Sequence, residues 1–302
     1  MSNFERLDAA ESVFFERQLE YIKSRTYDIK YPELKSRMFV PVSGETPSGS
    51  VEVTYRQYDR VGKAKIIKPG ATDLPRVDVY GNEFTRPVRW GGASYGWNLI
   101  EIRQARQTGI PLDARKAAAA RRACEELIDE VCAIGAPDYG IDYGFLNNSN
   151  CTADTAPTGG WSTASADDII ADVRNSWELM TTDTKGIERP NTMLVPDAQY
   201  AVLATKPRST VSDTTVLQFL LANFPGLTAI EPWYRLVDAG AGATDRAVLY
   251  NRSPEALQQE IPNEFEQLPV FQRGSNFEVE CLIATAGCEF YYPRSCRYID
   301  GI

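Results

Sequence analysis

The sequence predicts an α+β fold, and three observations carry that prediction. A stretch at 113–134 rich in alanine, leucine, arginine and glutamate reads as one long helix. Amphipathic helices and short apolar strands alternate between 166 and 236. From 246 onward, β-branched and aromatic runs separated by turn residues read as strands.

Taken in chain order, residues 5–24 place Leu7, Val13, Phe14, Leu19 and Ile22 at roughly helical spacing, which predicts an amphipathic helix with no compact partner nearby. The next stretch, "TYDIKYPELKSRMFVPVSGETPSGS", is extended and tyrosine-rich and ends in a Gly/Pro/Ser loop. This opening reads as an arm laid on something else. "VEVTYRQY" alternates as a strand does, and "AKII", "RVDVYG" and "EFTRPVRW" are further strand candidates around the turn-prone "KPGATDLP". Such a long excursion with few apolar residues of its own buries little by itself, and excursions of this kind are usually functional.

Pro111 and Asp113 supply start signals and Gly135 a stop for the long helix, a rod of about 32 Å. Ala117, Ala120 or Cys124, Leu127, Val131 and Ile134 form its narrow apolar stripe, and its alanine-rich first half lets a neighbour approach closely. Residues 147–166 read as loop. "ADDIIADVRNSWELMTT" is a helix turning Ile169, Ile170, Val173, Trp177 and Met180 inward, followed by strand "NTMLVP", helices "DAQYAVLAT" and "DTTVLQFLLANF", and strand "LTAIEPWYRL". "RAVLYN", "FEVECLIATAGCEFYYP" and "CRYIDGI" close the chain as strands.

Composition narrows the function. With 302 residues, 43% hydrophobic, the chain has ample length for a core in one large domain or two. A formal charge of -9 argues against a surface made to grip a phosphate backbone. The charge is uneven, however: Lys63, Lys65, Lys68, Arg76, Arg86 and Arg89 outnumber Asp73, Asp78 and Glu83 over 61–90. That segment fits either a strand-rich arm docking on an acidic neighbour or a solvated hairpin face. No apolar run approaches the roughly 20 residues that span a bilayer, and "MSNFERLDAAE" lacks the order of a signal peptide. The six cysteines show no C-x-x-C spacing, so they read as buried free thiols of a protein kept in a reducing cytosol.

Two fragments mimic catalytic or cofactor motifs. Gly92-Ala93-Ser94-Tyr95-Gly96 spells the G-x-S-x-G of a nucleophile elbow, but a serine needs a neighbouring base and the chain has no histidine. A serine hydrolase acting through Ser94 is therefore disfavoured, and Gly91, Gly92 and Gly96 read instead as the hinge where the excursion turns back. Gly240-Ala241-Gly242 leads into a strand where a dinucleotide loop requires a helix, so it reads as a turn. No catalytic, metal or cofactor site is expected.

The order of elements resembles that of the Hong Kong 97-like major capsid proteins of tailed bacteriophages and prophages, as do the strings "YPELKSRMFVPVS", "AKIIKPGATDLPRVDV" and "GASYGWNLIEIRQARQTGIPLDARKAAAARRACEELID". The closing "FEVECLIATAGCEFYYPRSCRYIDG" adds to the likeness, and "GIDYGFLN" is similar to a turn in the related encapsulin shells. The resemblance implies an N-terminal arm (1–45), an extended loop (55–95), a peripheral domain (96–146 with 230–302) built on a spine helix at 113–134, and an axial domain (147–229). It also implies a subunit without enzymatic activity or cofactor. Copies would form hexamers and pentamers of an icosahedral shell around double-stranded DNA, enclosed but not specifically bound. Portal, scaffold and possibly decoration proteins would be its partners, with no membrane and with synthesis in the host bacterial cytoplasm. Lys63, Lys65, Lys68, Arg76, Arg86 and Arg89 would contact the neighbouring subunit. Some relatives weld subunits through a loop lysine, but nothing here singles one out and no cross-link is expected. An encapsulin-type compartment is the alternative within the fold.

Overall fold

The computed structural model describes residues 30–67, 74–108, 112–157, 159–209, 211 and 213–302, the side chains of 105, 106, 108 and 112–114 apart. The helix expected at 5–24 lies outside these residues. Leu34–Ile302 forms one compact unit; of Met1–Glu33, the described residues 30–33 have no regular structure.

The end of the expected arm packs on the body. Helix α1 (Ser36–Phe39) and strand β1 (Val42–Ser43) belong to the body, because Phe39 and Val40 are fully buried. The Phe39 ring lies 5.4 Å from that of Trp233. Burying two such side chains contributes about 3 to 6 kcal/mol, which fixes this segment in place.

Strands β2 (Glu52–Val61) and β3 (Asp78–Pro87) pair antiparallel from Glu52–Pro87 to Val61–Asp78 and form a sheet of their own. "AKII" is not a strand: residues 62–67 have no regular pairing. Strand β4 (Arg89–Asn98) then leaves the hairpin and runs along the body. Helix α2 (Leu99–Thr108), absent from the sequence reading, starts where the Asn98 side chain accepts from the Ile100 amide at 3.0 Å and Glu101 accepts from the Asn98 amide at 3.3 Å. That Asn-x-x-Glu spacing is a capping signal legible in the sequence.

The spine helix α3 (Leu112–Ile134) matches its expected span. Gly135, at φ +80°, ends it in the left-handed conformation that favours glycine. The "GFLN" turn then satisfies the helix's last carbonyls: Phe145 donates to Cys132 at 2.7 Å, Leu146 to Ala133 at 2.8 Å, and the Asn147 side chain to Ile134 at 2.9 Å. The buried stripe is Ala120, Cys124, Ile128 and Val131, while Leu127 and Ile134 are exposed. Ala118 and Ala119 are exposed too, so the helix's close face is set by Ala120 instead.

Beyond the spine come β5 (Thr152–Thr155), α4 (Ala166–Asp183), β6 (Thr192–Val195), α5 (Asp197–Thr205), α6 (Val216–Asn223) and β7 (Ala229–Pro232). Ser165 and Thr215 cap α4 and α6 through capping boxes with Asp168 and Gln218. The chain closes with β8 (Arg246–Tyr250), β9 (Leu257–Glu260), β10 (Asn263–Gln267), β11 (Phe271–Arg273), β12 (Asn276–Thr285), β13 (Gly287–Phe290) and β14 (Cys296–Asp300). Strands β9, β10 and β11 were not expected.

A mixed sheet of order β5-β14-β8-β6-β7 is buried on both faces. Alternation explains it: Leu194, Val248, Tyr250 and Tyr298 meet Phe39, Phe145 and Trp233 on one side. Met193, Val195, Ala247, Leu249 and Ile299 meet Ile169, Val173, Leu203 and Leu220 of the helices on the other. The ten-residue β12 pairs with β4 along one edge and with β10 and β11 along the other. Its Val279, Cys281 and Ile283 pack on the spine stripe. A fourth sheet has the order β1-β9-β13.

Candidate assembly surface

The β2-β3 hairpin is held together by cross-strand pairs and not by a core. The Thr54 and Thr85 hydroxyls are 2.9 Å apart, Arg56 reaches Glu83 at 2.7 Å, and the Tyr55 and Phe84 rings stack at 5.1 Å. A lone two-stranded hairpin is marginal in water, so its root must be fixed by the body. The Tyr55 hydroxyl donates to the Phe290 carbonyl at 3.1 Å, and the Gln57 amide donates to the Tyr291 carbonyl. The guanidinium of Arg86 donates to the carbonyls of Cys288 and Tyr143 and lies 4.3 Å from the centre of the Tyr143 ring.

Arg86 is therefore a buried root residue whose guanidinium is spent on carbonyls of its own subunit. Arg89 is exposed but donates to the Tyr139 carbonyl within the same subunit, also at the root. The structure places Lys63, Lys65 and Arg76 together beyond the last paired residues of the hairpin, all exposed. Lys68 lies outside the described residues. Among the described residues the basic cluster thus divides into a root pair, Arg86 and Arg89, and a tip group, Lys63, Lys65 and Arg76.

The tip also carries an apolar component that charge alone did not signal. Ile66 is fully exposed, and Leu74, Val77, Val79 and Tyr80 are each about 60% exposed. Apolar side chains gathered on a protrusion, interspersed with cations, mark a surface that another chain covers. The signal was present in "AKII" and "RVDVY", whose apolar residues the sequence reading assigned to strands, and in Leu74 of the turn-prone "KPGATDLP".

At the root, Glu289 is 3% exposed and its Oε2 has no hydrogen-bond partner. Burial, with the Glu260 carboxylate adding to it, pushes its pKa up to about 7, against the opposing pull of Arg86. Burial likewise pushes the Tyr55 hydroxyl up to about 12. A cavity of about 260 Å3 beside these groups is bounded by Tyr55, Arg86, Tyr143 and Glu289.

The G-x-S-x-G stretch makes no elbow. Ser94 sits inside strand β4 opposite Glu280 of β12, where a nucleophile elbow needs a strand-to-helix turn. The glycines serve close packing and not a hinge: a Cβ added at Gly92 or Gly96 would lie 2.6 Å from the carbonyl oxygen of Cys281 or Phe277. Tyr95 and Trp97 pack toward the spine. Among the described residues no cluster of potential metal ligands occurs, and no helix is long and apolar enough to cross a membrane.

Known proteins share this architecture. The fold is similar to the capsid of Myoviridae phage XM1 at a TM-score of 0.85, with 22% identity over 96% of this chain and 99% of that one. It is similar to the structure of Mycobacterium phage Ogopogo at 0.64, with 12% identity over 94% and 97% of the two chains. A virus-like particle from Pyrococcus furiosus is similar at 0.53, with 15% identity over 87% and 90%. No curated protein matches the sequence. The spine helix, the rooted hairpin and the layered sheets are those of the Hong Kong 97-like fold. The family model described as "Major capsid protein" matches residues 62–302, from the tip of the hairpin to the last strand. The chain belongs to the major capsid protein family, whose members are structural shell subunits and not enzymes.

Proposed function

We propose that this subunit builds the icosahedral shell of a tailed phage as hexamers and pentamers, with the β2-β3 hairpin as the extended loop lying over a neighbouring copy. The observation that carries this reading is the hairpin itself. It is rooted by Tyr55 and Arg86 and presents exposed Ile66, Leu74, Val77 and Tyr80 beside exposed Lys63, Lys65 and Arg76. A subunit that exposes such a surface gains by burying it against another copy.

In this reading residues 96–146 with 230–302, built on the spine helix, form the peripheral domain, and residues 147–229, which carry α4, α5 and α6, form the axial domain. The shell encloses double-stranded DNA without gripping it, which the -9 charge supports. Portal, scaffold and decoration proteins would join it in the host cytoplasm. The higher similarity to a phage capsid than to the archaeal virus-like particle supports a genome shell over an encapsulin-type compartment.

Negative-stain microscopy of the purified protein tests the reading. Closed icosahedral shells with hexameric and pentameric clusters are expected. A protein that stays monomeric under all assembly conditions, including the presence of a scaffold protein, would contradict it.

A further inference from the structure

All six cysteines are buried and none is bridged, and they lie in two packed clusters, Cys132, Cys151, Cys288 and Cys296 in one and Cys124 and Cys281 in the other. Cys151 and Cys296 immediately precede Thr152 and Arg297, which face each other in the parallel ladder of β5 and β14. Both belong to one buried cluster. Cys132 of α3 and Cys288 of β13 are fully buried in that same cluster. The two elements run close there, since a Cβ added at Gly287 would lie 3.1 Å from the Val131 carbonyl oxygen. Cys281 of β12 pairs with Ala93 of β4, and Cys124 of α3 lies in the same buried cluster as Cys281, with Ala93 packed against it.

We propose that Cys124–Cys281, Cys132–Cys288 and Cys151–Cys296 are latent disulfide sites that close once the shell leaves a reducing compartment. The first two would fasten the spine helix to two different sheets, and the third would fasten an edge strand to its neighbour. Neighbouring strands stand about 4.8 Å apart, inside the range of about 4.4 to 6.8 Å between Cα atoms that a disulfide accepts. A cysteine used only as a small apolar core residue explains burial. It does not explain why every one of the six has another beside it.

The oxidant is a low-molecular-weight disulfide. One thiolate of a pair attacks it, giving a mixed disulfide and expelling one small thiol. The second thiolate attacks the protein sulfur of that mixed disulfide, forming the internal bridge and expelling the other small thiol. The protein pair gives up two electrons and two protons, and the oxidant takes them. Burial pushes the Cys132 and Cys296 thiols well above their ordinary range and raises Cys124 and Cys281. Less thiolate exists at neutral pH as a result, so closure is slow and quickens as pH rises.

The test uses the folded subunit and is independent of whether shells form, so its failure is distinguishable from failure of the assembly reading. Reduced protein is incubated with glutathione disulfide at about pH 8.5, quenched in acid, unfolded and treated with N-ethylmaleimide. Intact mass is expected to show loss of all six maleimide adducts and of about 6 Da, restored by dithiothreitol, with peptide mapping giving the three assigned pairs. In Cys151→Ala, only Cys296 should remain open to alkylation. Six retained adducts, glutathione adducts without internal bridges, or bridges joining other pairs would overturn the proposal. Should that variant fail to fold, the peptide map of the unsubstituted protein decides the matter.

Discussion

The Tyr55 hydroxyl donates to the Phe290 carbonyl oxygen at 3.1 Å, and its ring meets that of Tyr291 edge-on at 4.9 Å. One side chain thereby joins the protruding hairpin to strand β13 of the body. Replacing it by phenylalanine keeps the ring contact and removes the hydrogen bond, a loss of about 1 kcal/mol. Hydrogen exchange should quicken in 52–61 while exchange in the spine helix stays unchanged. Equal quickening in both would mean that the root and the body unfold together.

Glu289 gives the root a pH dependence. Its folded pKa of about 7 lies above the ordinary carboxyl value, so the folded state holds a proton that the unfolded state releases. The stability it contributes is complete below about pH 4.5 and is lost as pH rises through 7. Around it stand Glu260, Arg86 and the hydroxyls of Tyr55, Tyr143 and Tyr291. Glu289→Gln should stabilise the protein at about pH 8 by on the order of 2 kcal/mol and have little effect near pH 5. Urea midpoints at the two pH values check this, and a variant less stable at the higher pH would contradict it.

Arg246 and Asp300 form a buried bidentate pair at 2.6 and 2.8 Å, and the guanidinium lies 4.4 Å from the Tyr298 ring centre. Arg246→Met leaves the Asp300 carboxylate buried without its partner, costing about 3 to 5 kcal/mol. Thermal unfolding should show a large drop. Replacing both residues with apolar ones should recover part of it.

Ala120 is 6% exposed against β12, whereas Ala118 and Ala119 point to solvent. Ala120→Leu should overpack the spine contact and cost about 1 to 3 kcal/mol, while Ala118→Leu should leave subunit stability nearly unchanged. Calorimetry of the two variants separates them. Equal effects would show that the alanines serve only helix propensity.

Legibility in the sequence followed the range of the interaction. The spine helix was readable because alanine-rich propensity and the Gly135 stop act locally, and "RAVLYN" was readable because a short continuous apolar run marks a strand buried on both faces. Strands β9 to β11 were not, since "LQQE" and "NEFEQ" are polar and owe their pairing to partners distant in sequence. The hairpin was legible as an excursion, but the roles within it were not. Arg86 and Lys63 look alike in sequence, and only the body carbonyls that receive Arg86 separate the root from the tip. The reading of Gly91, Gly92 and Gly96 as a hinge failed for the same reason, because the strand that requires them lies almost two hundred residues away.

The central claim is that the hairpin tip assembles the shell and does not fold the subunit. Residues 62–77, beyond the last pair Val61–Asp78, can be replaced by a two-residue Asn-Gly turn that keeps the β2-β3 register. Negative-stain microscopy and sedimentation velocity of that variant are the direct measurement. Folded, soluble subunits or small clusters that never close into shells are predicted. Shells indistinguishable from those of the unaltered protein would contradict the account.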